Sequence, residues 1–184
     1  MLGLRYGTVH VVPYRPEWAQ AFLEERGRLH DVLQGVACQI EHVGSTAVPG
    51  LAAKPILDIA VGIPHPIPLD AIIAALARIG YEYRCDAGDE GGHVFVRESA
   101  PLIRTHHIHV VELGGPQWQA YLELRDFLRW SDEARDSYIA EKLALADRHG
   151  EDRKAYTEAK DTILRHLLAE ARRPTRRHWT PPAS

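Results

Sequence analysis

Cysteine is scarce in this chain of 184 residues: Cys38 and Cys85 are the only two, far apart and without C-x-x-C spacing, which argues against a disulfide framework or a thiolate metal site. Two thiols in a reducing compartment are expected. No apolar run approaches the ~20 residues that a bilayer-spanning helix needs, and Met1 to His10 contains no long apolar run. A cytoplasmic protein with no membrane partner is expected. Basic residues are not in excess either, since 22 Lys and Arg against 25 Asp and Glu leave a formal charge of −3. That removes the global positive field on which broad nucleic-acid binding depends, so any anion site must be local. The chain also lacks internal repeats and a G-x-x-x-x-G-K-[ST] phosphate loop.

What is present suffices for one well-buried core, with 45% hydrophobic and 26% charged residues. Val9 to Tyr14 reads as an extended lead-in. Pro16 opens a helix to about Leu33, with Trp18, Phe22, Leu29 and Leu33 at helical spacing. Ala37 to Val43 is the first core strand, and Leu69 to Ile79 a helix closed by Gly80. Strands follow at Tyr81 to Cys85, His93 to Glu98 and Thr105 to Leu113, with a polar loop from Asp86 to Gly92 and a connection from Ser99 to Arg104. Pro116 to Trp130, Asp132 to His149 and Asp152 to Arg172 then form three helices. The expected fold is α/β, with one domain over residues 1–173 and a mobile basic tail over 174–184.

The stretch from Ile40 to Ile63 organises the rest. A strand runs into Gly44-Ser45, a turn follows, and a second strand carries one acid, Asp58, among apolar residues. An ionised Asp is costly to bury unless a cation or donors compensate it, so Asp58 reads as a metal- or phosphate-handling group. Alternation sets Ile56, Asp58, Ala60 and Gly62 on one face, which leaves room for a ligand. Gly44 lets the turn aim its N–H groups at an anion, and Ser45 adds a hydroxyl.

Other polar residues interrupt apolar patterns. His107 and His109 share one face of their strand, with His93 on a strand expected nearby. They read as hydrogen-bonded structural groups, as phosphate or acid/base groups, or as ligands for a transition metal such as zinc. Lys54 lies between the turn and the Asp58 strand, and Arg104 just before the histidine strand. Arg125 breaks the apolar face of Trp118, Tyr121, Leu122 and Leu128, so it wants an anion from a ligand or from the protein. Lys160 falls on the stripe of Tyr156, Ile163, Leu164 and Leu167, where it either snorkels or enters a cleft. Lys142, one turn after Tyr138, is a weaker case of the same kind.

Several of these segments resemble the GrpB-like family: His42-Val43-Gly44-Ser45-Thr46, Val48-Pro49-Gly50-Leu51 and Ala53 to Ile59, then Arg104 to Val111 and Ala155 to Lys160. The resemblance runs from about Val9 to Ala171. It implies a nucleotidyltransferase-like mixed sheet flanked by helices, with the three C-terminal helices packed on the core. In such folds a Gly-Ser turn precedes a strand with two carboxylates that hold divalent ions on a nucleoside triphosphate. Here Asp58 matches the first carboxylate, and Ala60 stands at the second.

The resemblance implies a site for a nucleotide or other phosphorylated small molecule. Gly44, Ser45, Lys54, Arg104, His107, His109, Arg125 and Lys160 would contact the anion, with Mg²⁺ or Mn²⁺ on Asp58 and nucleotidyl transfer as the reaction class. A noncatalytic binding module and a transition-metal hydrolase on Asp58, His107 and His109 are the alternatives. Domains of this kind also occur fused to a dephospho-coenzyme A kinase domain, which hints at nucleotide-like ligands.

Overall fold

The computed structural model describes residues 2–36, 38–86, 92–150 and 152–173. The expected tail over 174–184 lies outside them, as do Ala37 and most of the expected Asp86 to Gly92 loop. The elements, in chain order, are β1 (Leu4–Arg5), α1 (Glu17–Val32), β2 (Gln39–Val43), β3 (Leu57–Ile63), α2 (Leu69–Ala77), β4 (Tyr81–Asp86), β5 (His93–Ala100), β6 (Ile103–Glu112), α3 (Pro116–Trp130), α4 (Asp132–His149) and α5 (Arg153–Ala171).

The strands form one mixed sheet in the order β2-β3-β6-β5-β4. β3 and β6 run parallel at its centre, and the other pairings are antiparallel. Central parallel strands are covered on both faces, which is why β3 reads as nearly continuous apolar sequence. Leu57, Ile59, Val61 and Ile63 point into the larger core, where α1 contributes Trp18, Phe22 and Leu29 and α2 contributes Ile72 and Leu76. Each such fully buried side chain contributes about 1.5–3 kcal/mol.

The same layer holds one buried acid. Glu25 of α1, 3% exposed, accepts from Arg97 at 2.8 Å, from the Tyr81 hydroxyl at 2.9 Å and from Arg28 at 3.0 Å. The bonds from Arg97 of β5 and Tyr81 of β4 tie α1 to the sheet, and Arg28 adds a donor from α1 itself, because a buried carboxylate is tolerated only with its donors in place.

On the other face the small residues of β3 admit α3 closely. A Cβ at Gly62 would lie 2.7 Å from the Trp118 ring, and Trp118 packs on Val43, Ala60 and Val111. α4 and α5 build outward from α3 around Phe127, Leu128, Tyr138 and Leu167. Side-chain caps start both: Ser131 accepts from Ala134 N–H at 3.2 Å, and Asp152 from Ala155 N–H at 3.0 Å.

Two local features differ from the sequence reading, and a third adds a partner to it. β1 is too short to carry a pattern; it is held by its pairing to β6 and by backbone bonds from Gly3 to Pro55 (2.8 Å) and from Tyr6 to Leu102 (2.7 Å). The expected Ser99 to Arg104 connection is a tight turn at Pro101 and Leu102, with strand on both sides. The extended Val9 to Tyr14 segment makes a single bridge, Val12 to Ala53.

Candidate functional site

β2 ends in Gly44, whose φ is +68° and where a Cβ would lie 2.6 Å from Asp58 Oδ2. Only glycine meets both demands, and the turn is thereby laid directly on the acid. Arg129 holds the far side of the turn, donating Nε and Nη2 to the Ala47 carbonyl at 3.0 and 2.8 Å.

Asp58 pairs with Val43 on one side and with His107 on the other, while Ala60 pairs with His109. The His107 Nδ1–H donates to Asp58 Oδ1 at 3.2 Å, and His109 Nε2 stands 3.7 Å from the same oxygen. Burial alone raises the Asp58 carboxyl, but the two imidazoles outweigh it and hold the group well below the usual carboxylate range. Asp58 keeps 31% of its side chain exposed. The far ring nitrogens, His107 Nε2 and His109 Nδ1, are buried with no hydrogen-bond partner among the described residues.

A cavity of about 320 Å³ opens over this group. Gly44, Ser45, Lys54, Asp58, Arg104, His107, His109, Arg125 and Lys160 all line it. Arg104 reaches it through an irregularity in β6: Arg97 opposes His106 and Glu98 opposes Arg104, so Thr105 is an extra residue. Such a bulge resets the alternation and re-aims a side chain. Strict alternation would have turned Arg104 away from His107 and His109.

Two expected members behave differently. Arg125 lines the cavity, yet its guanidinium is already bonded to Glu41 at 2.6 Å, to Asp126 at 2.7 and 3.1 Å and to the His42 carbonyl at 3.1 Å. This is the internal ion pair that its place on an apolar face allowed. His93 is not with the other histidines: it pairs with Val110, on the opposite face of the sheet from His109, and its Nδ1 meets the Tyr83 hydroxyl at 3.0 Å.

Lys142 is more central than its pattern suggested. Only 2% exposed, it donates to Ser45 Oγ at 3.0 Å and also to the Ala52 carbonyl, and it lies over the Tyr138 ring. Burial, with Lys160 and Lys54 adding to it, lowers its ammonium to about 6. Lys160 is raised instead: the Tyr138 hydroxyl outweighs burial, helped by Asp58 and Tyr156. The Lys54 ammonium lies 4.3 Å from the centre of the Tyr156 ring. The signal for Lys142 was present, since Ala134, Tyr138, Lys142 and Leu145 make one buried stripe on α4. Tyr6, Tyr138 and Tyr156 also line the cavity.

Among the described residues lining the cavity, Asp58 is the sole carboxylate. Glu41, opposite Ala60, is engaged by Arg125. Among the described residues no three His, Cys, Asp or Glu side chains are grouped to hold a metal ion. Paired divalent ions need several oxygen ligands, and this donor set does not fit them.

The sequence model of the GrpB protein family matches residues 8–170. The chain belongs to the GrpB family. A UPF0157 protein of Pseudomonas aeruginosa is 38% identical over 170 residues, which cover 91% of this chain and 69% of that protein. The crystal structure of the conserved protein GrpB from Enterococcus faecalis matches with a TM-score of 0.79 and 34% identity, over 88% of this chain and 96% of that one. Two more distant structures share the fold alone. They are the GLD-2/RNP-8 complex, with a TM-score of 0.55 at 15% identity over 83% of this chain and 60% of that one, and the Cid1 poly(U) polymerase, at 0.51 and 11% over 81% and 49%. This GrpB protein thus has a nucleotidyltransferase-like fold. None of its described helices is long and apolar enough to cross a membrane.

Proposed function

We propose that this GrpB-family protein is a cytoplasmic binder of a nucleotide or another phosphorylated small molecule, and that lysines rather than divalent metal compensate the phosphate charge. The observation that carries this reading is the grouping of Lys54, Lys142 and Lys160 around a cavity with one carboxylate among its described residues. Crowded ammonium groups in a buried site repel one another, and an anion among them relieves that repulsion. Phosphate oxygens would accept from the lysines and from the Gly44-Ser45 turn, with Arg104, His107 and His109 completing the wall. Asp58 then serves to orient the two imidazoles. No transfer step is assigned, because the donor set does not fit the paired metal ions that step requires.

A second reading keeps nucleotidyl transfer, with Mg²⁺ or Mn²⁺ on Asp58, and is favoured by the fold and by the Gly-Ser turn packed on that acid. Calorimetric titration of the protein with ATP and with tripolyphosphate separates the two, run in chelator and then with Mg²⁺, Mn²⁺ or Zn²⁺. Binding that persists in chelator is the expected result. An absolute requirement for Mg²⁺ or Mn²⁺ overturns the lysine reading in favour of the transferase. A zinc response without nucleotide favours a transition-metal hydrolase on Asp58, His107 and His109.

A further inference from the structure

We infer that Tyr6, with its ring over the Arg104 guanidinium, is a stacking platform that makes the site selective for a nucleotide over a bare polyphosphate. The inference rests on the phosphate-binding reading and adds the chemical class of the group attached to the phosphate, a planar aromatic base. Tyr6 is 47% exposed and yet lines the same cavity as Asp58 and the three lysines. It therefore sits where the hollow meets solvent, and it presents an apolar ring there.

The ring is held in place. Its own N–H donates to the Leu102 carbonyl at 2.7 Å, and β1 is paired to β6 immediately before it. The Arg104 guanidinium carbon lies 4.3 Å from the ring centre and is steadied by Glu98 at 3.6 Å. An aromatic ring backed by a cation is a platform on which a base can stack irrespective of its identity. Asp58 is opposite His107 on β6, whereas Tyr6 follows the pairing of Leu4 with Arg104 and of Arg5 with Ile103, so the platform and the acid lie at different levels along β6 and both line one cavity. Tyr6 also precedes the residues 8–170 that the family model matches.

The test is titration of the full chain in chelator with each of the four ribonucleoside triphosphates and with tripolyphosphate, in wild type, Tyr6→Ala and Tyr6→Phe. Tyr6→Ala is expected to weaken the nucleotides by roughly 5- to 150-fold, the range that loss of one base stack implies. It should leave tripolyphosphate within twofold, and Tyr6→Phe should retain nucleotide affinity. Equal losses for nucleotide and tripolyphosphate overturn the inference, because Tyr6 would then only support the pocket wall. Wild type binding tripolyphosphate as tightly as every nucleotide overturns it as well, while leaving the phosphate reading intact. Failure of wild type to bind any of these probes removes both.

Discussion

Lys142 of α4 donates to the hydroxyl of Ser45, 97 positions earlier in the chain, at 3.0 Å. One bond thus joins the terminal helices to the turn that lies on Asp58. It also places an ammonium in a site that burial and two other lysines make unfavourable for charge.

Lys142→Met should reveal that cost. The unfolded chain holds the Lys142 proton up to its ordinary value of 10.5, whereas the folded chain releases it above about 6. Between those values the unfolded state binds more protons, so this group makes stability rise with pH, by about 1 kcal/mol per pH unit. Urea midpoints from pH 6 to 9 should lose that slope in the variant, and tripolyphosphate affinity should fall at least tenfold. A slope identical to wild type would show that Lys142 is charged in the native state.

Asp58→Asn separates lysine from metal compensation. The depressed carboxyl contributes stability above its ordinary value of 3.8, and this is lost as pH falls through the lower native value. The amide should cost about 1–2 kcal/mol at neutral pH, the scale of one charge-assisted hydrogen bond. Tripolyphosphate should then bind severalfold more tightly in calorimetry, because the sole carboxylate among the described residues lining the cavity is gone. Abolished binding would instead return Asp58 to the role of metal ligand.

The mixed fold, the three terminal helices and the placement of Asp58 beside Ala60 were legible in the sequence because local patterns control them. β3 is apolar on both faces, α3 starts at a proline, and Ser131 marks the next break. The less legible features depend on partners far away. Arg125 shows an unmet need for an anion, but nothing local names Glu41, 84 positions earlier. The extra residue at Thr105 leaves no mark in a strand where polar residues stand on both faces, although it decides which way Arg104 faces. β5 lies beside β6 as expected, but strand register turns His93 to the face opposite His109. Lys142 was the weaker case because Glu141 and Asp147 made an exposed face equally plausible, yet Glu141 is exposed and Lys142 buried on different sides of α4.

Two histidines on other packing surfaces should set the acid limit of stability. Burial, with Arg129 and Arg125 adding to it, lowers His42 to about 4 even though Asp58 pulls the other way. Burial and then Arg97 lower His106 to about 3. Both hold their proton up to 6.5 when unfolded. Below that pH the unfolded state binds more protons, so their contribution is complete above pH 6.5 and is lost on the way down to the native values. Each group supplies a slope of about 1 kcal/mol per pH unit. His106→Gln should roughly halve the loss in unfolding free energy between pH 7 and 4.5, measured in urea; an unchanged loss would place the acid sensitivity elsewhere.

Arg125→Met tests whether a cavity-lining cation must be a ligand group. The Arg125 side chain is 9% exposed and holds Glu41 and Asp126. Because Glu41 keeps 39% exposure, water screens part of the loss, and the substitution should cost about 2 kcal/mol rather than the 3–5 of a fully buried pair. Tripolyphosphate affinity should stay within twofold, since both sides of the guanidinium fork face protein oxygens. A tenfold loss of affinity with little change in the urea midpoint would reverse the assignment: the fork would then leave Glu41 when phosphate arrives, and Glu41 would be the group that the ligand displaces. Arg125→Lys distinguishes the cases further, because a single ammonium can satisfy Glu41 but cannot also bridge Asp126 and the His42 carbonyl. Partial recovery of stability with unchanged affinity is the outcome expected of an internal pair.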